Sequence, residues 1–215
     1  MIPETRALTA TTLKRGVAVL CARDAALAVA VKQFGLPPMW GRRPGFAALV
    51  RIILEQQVSQ LSAAAIYYRL QDAVGEISPA RVAAAGMEGM RAAGLTRQKS
   101  TYCVGLAHEI LAGKVDLSKI ARADDAIARG QLLAIPGIGP WSADIYLLMA
   151  LRRPDVWPDG DLALPRAAMR LLKLRAVPSQ ERLAGLARQW TPWRAVAARI
   201  LWHFYISSRR LAADR

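Results

Sequence analysis

The sequence predicts an all-α fold, and three observations carry that prediction. Apolar residues recur at helical spacing along most of the chain, as in Phe46, Leu49, Val50, Ile53 and Leu54. No β-branched segment of strict alternation competes with them. Glycine- and proline-rich breakers separate the periodic stretches: FGLPPMWGRRPG at 34–45, GEISP at 75–79, GLT at 94–96, IPGIGP at 135–140, RRPDVWPDGD at 152–161 and VPS at 177–179.

The elements follow from these breaks in order. A helix over about 46–57 opens after the first, and a second over 60–74 stops at GEISP. One over 98–113 follows GLT. Helices over 123–134 and 140–151 flank IPGIGP, and another over 162–175 lies between RRPDVWPDGD and VPS. The last two cover 180–190 and 193–210. Asp161 then directly precedes a helix starting at Leu162, a position suited to an N-cap, while Pro165 falls in that helix's first turn and threatens one backbone hydrogen bond. No repeat of fixed period and no low-complexity tract is present, so a solenoid is excluded.

Composition narrows the class. The chain has 215 residues, 53% of them hydrophobic, enough for one large core or two small lobes sharing a cleft, and too apolar for a disordered chain. Thirty basic residues stand against 16 acidic ones, a formal net charge of +14, which implies a polyanionic partner: nucleic acid or an anionic membrane surface. Twenty-four of the basic residues are Arg, whose planar fork suits phosphate. The two cysteines, Cys21 and Cys103, are too few for a disulfide framework or a zinc or iron–sulfur site and read as buried thiols. His108 and His203 have no partner at metal spacing and read as structural. The N-terminus, MIPETRALTATTLKRG, lacks the order of a secretion signal, which points to the cytoplasm. Residues 132–151 are long enough to span a bilayer, but Pro136, Gly137, Gly139, Ser142 and Asp144 interrupt them, so no membrane span is expected.

The stretch LLAIPGIGPWSADIYLLMA, 132–150, joins strong hydrophobicity to two glycines and two prolines. Read as structure, it is two helices joined by Ile135–Gly139. The glycines free the backbone to present N–H groups outward while Ile135 and Ile138 anchor the turn. N–H groups at a helix start attract an anion, and for so basic a chain the natural anion is a DNA phosphate. Asp144 either supports that helix end or lines a cleft. Arg91, Arg97, Lys99, Arg166 and Arg170 are either further phosphate neighbours or ordinary solvated charges.

L-x-x-I-P-G-I-G-P-W-S-A resembles the helix–hairpin–helix of the base-excision DNA glycosylase superfamily, and VWPDGDLAL, 156–164, resembles its Gly/Pro-rich loop ending in an aspartate. PGFAALVRIILEQQVSQLSAAAIYYRL, 44–70, and QWTPWRAVAARILWHFY, 189–205, resemble further segments of bacterial 3-methyladenine DNA glycosylase II, in a short form without its N-terminal β-domain. The resemblance implies two helical lobes flanking a cleft, 45–150 with the hairpin, and 1–44 with 151–215. It also implies a monofunctional enzyme that flips out and hydrolytically excises alkylated purines of the 3-methyladenine and 7-methylguanine type from double-stranded DNA, acting as a monomer. The catalytic carboxylate is then Asp161, favoured over Asp159 by its distance from Trp141. Trp141, Trp193 and, more weakly, Tyr146 form the substrate pocket. Gln56, Gln57, Ser59, Pro136, Gly137, Ile138 and Gly139 contact DNA, with Gln57 as the wedge filling the gap left by the extruded base. No cofactor is required and no side chain is assigned a metal, although the resemblance implies a monovalent cation at the hairpin backbone. Strand-cleaving relatives carry a lysine where this chain has Trp141. Ile145 and Leu162 depart from residue types common in the family, which leaves the range of bases open. The rivals are a non-catalytic helix–hairpin–helix DNA-binding protein and a glycosylase for uracil, mismatched adenine or deaminated purine.

Overall fold

The structure, a computed structural model, describes residues 7–213, so part of the stretch on which the reading of the N-terminus rests lies outside the described residues. Every regular element among the described residues is helical. In chain order these are α1 (Ala10–Arg23), α2 (Ala25–Phe34), α3 (Phe46–Glu55), α4 (Gln60–Val74), α5 (Pro79–Ala92), α6 (Arg97–Leu111), α7 (Leu117–Arg122), α8 (Asp125–Leu133), α9 (Pro140–Ile145), α10 (Leu164–Leu171), α11 (Gln180–Ala187) and α12 (Arg194–Ala213). A π-helical turn, Tyr146–Ala150, continues α9, and a 3₁₀ turn, Arg188–Trp190, continues α11.

Four of these helices, α1, α2, α5 and α7, are absent from the expected set, and each has a local cause. Helix α1 opens on a reciprocal capping box between Thr9 and Thr12, and Asp24 closes the α1 segment and caps α2 through bonds from Ala26 N and Leu27 N. Helix α5 starts with Ser78 as N-cap and Pro79 in its first turn. Its glycines dilute the apolar pattern, and Gly86 breaks the helical backbone at φ 58°. The helix expected over 123–134 is α8, and α7 precedes it: Asp116 caps α7, and the chain restarts at Asp124.

The chain divides into two compact units, Arg42–Leu151 and the two ends together, up to Gly41 and from Arg152. In the first, the hairpin unit, α5 packs on α6, α3 packs on α4, α6 and α9, and α8 packs on α7 and α9. Leu49, Ile52, Ile53, Leu70, Met90, Cys103 and Leu132 are fully or almost fully buried there. In the second, the terminal unit, α12 packs on α1, α2 and α10. Residues Ala195–Trp202 of α12 are buried on every face of the helix, which marks it as the unit's central element. Each such large apolar side chain contributes on the order of 1.5–3 kcal/mol through burial. No helix among the described residues is long and apolar enough to cross a membrane.

Candidate DNA interface and carboxylate site

In the hairpin unit, Ile135 and Ile138 are both 4% exposed and pin the loop from below, while Pro136 and Gly139 are exposed and Gly137 is half-buried. The two glycines serve different needs. Gly137 sits at φ +87°, and a Cβ there would run into the Tyr102 ring, so only glycine fits. Gly139 is extended at φ −86°, with open space around its Cβ position. Helix α9 begins with Pro140, and no side chain caps it among the described residues. Asp144 is neither a cleft residue nor a dipole partner alone. It is 2% exposed and pairs with Arg129 of α8, Nε to Oδ1 at 2.6 Å and Nη2 to Oδ2 at 3.2 Å, which staples the two helices of the hairpin together.

The loop borders an open groove of about 540 Å³, also lined by Gln56, Gln57, Lys99, Tyr102 and Trp141. Two expectations change here, those for Gln56 and Lys99. The Gln56 amide is an internal strut, donating to Gly137 O at 2.8 Å and to Ser142 Oγ at 2.9 Å, because α3 ends beside the hairpin. Ser59 is the N-cap of α4, its Oγ accepting from Ser62 N at 3.1 Å. Lys99 points its ammonium at Leu54 O (2.7 Å) and Gln56 O (2.8 Å) and not outward to a phosphate. Gln57 is exposed and holds a left-handed backbone, φ 57°. Trp141 is half-buried at the groove. Tyr146 is corrected to a core residue, because its ring is fully buried and its hydroxyl accepts from Gly45 N at 3.0 Å. Burial raises its pKa, against the smaller lowering from that bond.

In the terminal unit, the loop after Arg152 is held by two aspartates. Asp155 accepts from Arg194 N at 3.1 Å and from Arg194 Nε and Nη2, both at 3.0 Å, so one carboxylate caps α12 and pairs with its first side chain. Trp157 packs on Trp190, ring centroids 5.6 Å apart. Asp161 is 9% exposed, whereas Asp159 is exposed. Asp161 Oδ1 accepts from Ala163 N and Leu164 N, both at 2.9 Å, and from the indole Nε1 of Trp202 at 3.2 Å, while its carbonyl accepts from Gln180 Nε2 at 3.0 Å. Helix α10 begins two residues later than expected, so the carboxylate caps it across a turn. Pro165 falls within the first turn, where an N–H has no intrahelical partner in any case, and no bond is lost. Leu162 beside it is 74% exposed.

Trp193 lies in the core of this unit at 5% exposure, and a Cβ on Gly16 of α1 would come within 2.7 Å of its ring. That face is closed to a base. The indole that touches the carboxylate is Trp202, which sequence reading missed, although WHFY at 202–205, after the W-R element, set Trp202 and Tyr205 one turn apart on α12. His203 Nε2 lies 2.9 Å from Phe34 O and is structural, as expected. Cys103 is fully buried, but Cys21 is only half-buried, contrary to expectation.

Residues 50–192 match the HhH-GPD superfamily of base excision DNA repair proteins, and the chain belongs to it. It is 29% identical over 180 residues to DNA-3-methyladenine glycosylase 2 of Escherichia coli, covering 75% of this chain and 60% of that protein. It spans smaller shares of other curated relatives, 14% and 58% of two of them. The crystal structure of a DNA-3-methyladenine glycosidase from Bacillus halodurans superposes with a TM-score of 0.74 at 29% identity, covering 88% of each chain. The fold is shared with a Schizosaccharomyces pombe 3-methyladenine DNA glycosylase in complex with abasic DNA, TM-score 0.80 at 23% identity, over 91% of this chain and 97% of that one. The family resemblance read from the motifs is thereby borne out.

Proposed function

We propose that this protein is a monofunctional DNA glycosylase that hydrolytically excises alkylated purines from double-stranded DNA in base excision repair. The observation that carries the proposal is Asp161: a buried carboxylate whose Oδ1 is pinned by two backbone N–H groups and an indole N–H. Breaking an N-glycosidic bond leaves positive charge on the sugar. A carboxylate fixed in advance stabilises that charge without reorganising, and it can orient the attacking water. A purine alkylated at N3 or N7 is already cationic and leaves without strong acid catalysis. Its recognition falls to aromatic faces, of which Trp141 is the half-buried candidate, with cation–π attraction worth about 0.5–2 kcal/mol.

The hairpin unit supplies the DNA grip. Pro136–Gly139 offer backbone groups to phosphate, and Gln57 is the wedge that enters the stack. For the monovalent cation implied by the family, the donors are hairpin backbone carbonyls, hard oxygens suited to such an ion. Those of Ile135 and Gly137 each accept one hydrogen bond, and a carbonyl oxygen has a second lone pair to offer. When bound, the cation would add positive charge facing a phosphate. The basic composition supports action on DNA.

Asp161→Asn tests the reading. The amide oxygen can still accept from Ala163, Leu164 and Trp202, so the loop keeps its shape and only the charge is lost. Release of 3-methyladenine and 7-methylguanine from alkylated DNA should fall at least about a hundredfold while DNA affinity is kept. Unchanged release would reduce Asp161 to a helix cap, whereas DNA binding with no base release by the unsubstituted protein would favour a non-catalytic DNA-binding protein.

A further inference from the structure

The turn after α3 is latched from two sides. Helix α3 ends at Glu55, where Gln56 N returns to Ile53 O, and the last carbonyls of a helix lack regular i+4 partners. The Lys99 ammonium reaches across from α6 to two of the local carbonyls, Leu54 O at 2.7 Å and Gln56 O at 2.8 Å. On the other side, the Gln56 amide is tied to Gly137 O and Ser142 Oγ of the hairpin. Directly after the latched residues comes Gln57, exposed, at φ 57°. A residue with a Cβ persists in that region only where its surroundings fix it.

We propose that Lys99 is a positioning residue for base extrusion: its ammonium fixes the end of α3 so that Gln57 is held in its left-handed conformation, ready to enter the duplex, before DNA arrives. The inference rests on the reading of Gln57 as the wedge. Lys99 is then no phosphate contact, because moving its ammonium to a phosphate would release the two carbonyls and unlatch the turn. Its partial burial, which lowers its pKa, fits an internal role.

The test uses the full chain under single-turnover conditions and two substrates: a duplex with one 7-methylguanine opposite cytosine, and the same lesion in a one-nucleotide bulge, where the base is already unpaired. Lys99→Met keeps the stem and removes the donors. It should slow release from the paired duplex about tenfold or more and leave the bulge rate nearly unchanged. Lys99→Arg should restore most of the loss. The slope of log affinity against log salt should stay as in the unsubstituted protein. In a Gln57→Ala background, itself slow on the paired duplex, Lys99→Met should add little.

An unchanged duplex rate in Lys99→Met overturns the proposal. So does an equal loss on both substrates with a salt slope reduced by about 0.9, the mark of a lost phosphate contact. If Gln57→Ala is slow and Lys99→Met is not, Lys99 alone is misassigned. If Gln57→Ala is as fast as the unsubstituted protein, the wedge reading fails and the positioning role falls with it. Should Lys99→Met not fold, Lys99→Gln, which keeps an amide donor, is taken through the same comparisons and must lie between Lys and loss of the latch.

Discussion

Asp161 and Asp159 stand two residues apart in one loop, and the difference between them is physical. Asp161 is buried with three N–H donors on one oxygen, whereas Asp159 lies exposed before Gly160, which turns the chain at φ +81°. Only a carboxylate so held presents its charge without first being ordered. Trp202 contributes one of those donors. Trp202→Phe keeps an aromatic ring and removes the N–H, so base release should drop about tenfold with DNA affinity unchanged, measured as single-turnover release on a defined lesion. Equal rates would mean that the backbone bonds suffice. A second residue-scale expectation concerns strand cleavage. Position 141 offers an indole, and Lys99, which lines the same groove, has its ammonium on two carbonyls. Neither residue presents an amine to form a Schiff base, so on the monofunctional reading product DNA should stay uncut on a denaturing gel until hot alkali is added, and borohydride should trap no adduct. Trapping by the unsubstituted protein would refute the monofunctional reading.

At the scale of elements, the hairpin is built from opposed constraints. Ile135 and Ile138 hold it down, the Asp144–Arg129 pair joins its helices, and Tyr102 closes the space beneath Gly137. The two glycines should therefore respond differently to alanine. Gly137→Ala meets both a left-handed φ and the Tyr102 ring, and it should lower stability by about 1–3 kcal/mol. Gly139→Ala has an ordinary φ and free space, so its melting temperature should be unchanged, and any loss of DNA affinity reports close approach of DNA backbone at that point. Chemical denaturation beside binding isotherms separates the two. A Gly139→Ala protein as destabilised as Gly137→Ala would contradict the geometry.

Across the whole molecule, one buried group ties stability to alkaline pH. Cys103 on α6 is fully buried, and burial pushes its thiol up to about 12, against a smaller downward pull from the Lys99 ammonium. The folded chain therefore holds the proton where the unfolded chain, near the ordinary value of 9.0, releases it. Stability from this group is complete below 9 and is lost as pH rises from there toward 12. Urea midpoints should fall over that window. Cys103→Ala should start lower because of lost packing yet decline less, and an identical decline in both proteins would remove the thiol as the cause.

The sequence by itself determined the helical class, the family and the identity of the hairpin and aspartate loops, because those rest on local signals: apolar spacing, breakers and contiguous motifs. Helix α4 falls exactly where the pattern put it, and the ends of α3 and α6 lie within two residues. Local signals could not say which polar groups face inward. Gln56 and Lys99 looked like DNA contacts, and Tyr146 and Trp193 like pocket walls, since a side chain's chemistry is the same whether it meets solvent or a neighbour. Only tertiary structure brought Lys99 to the end of α3 across 45 residues and Trp202 to Asp161 across 41. A hydrogen bond between distant residues leaves no periodicity in the chain, because its geometry exists only once the helices have packed.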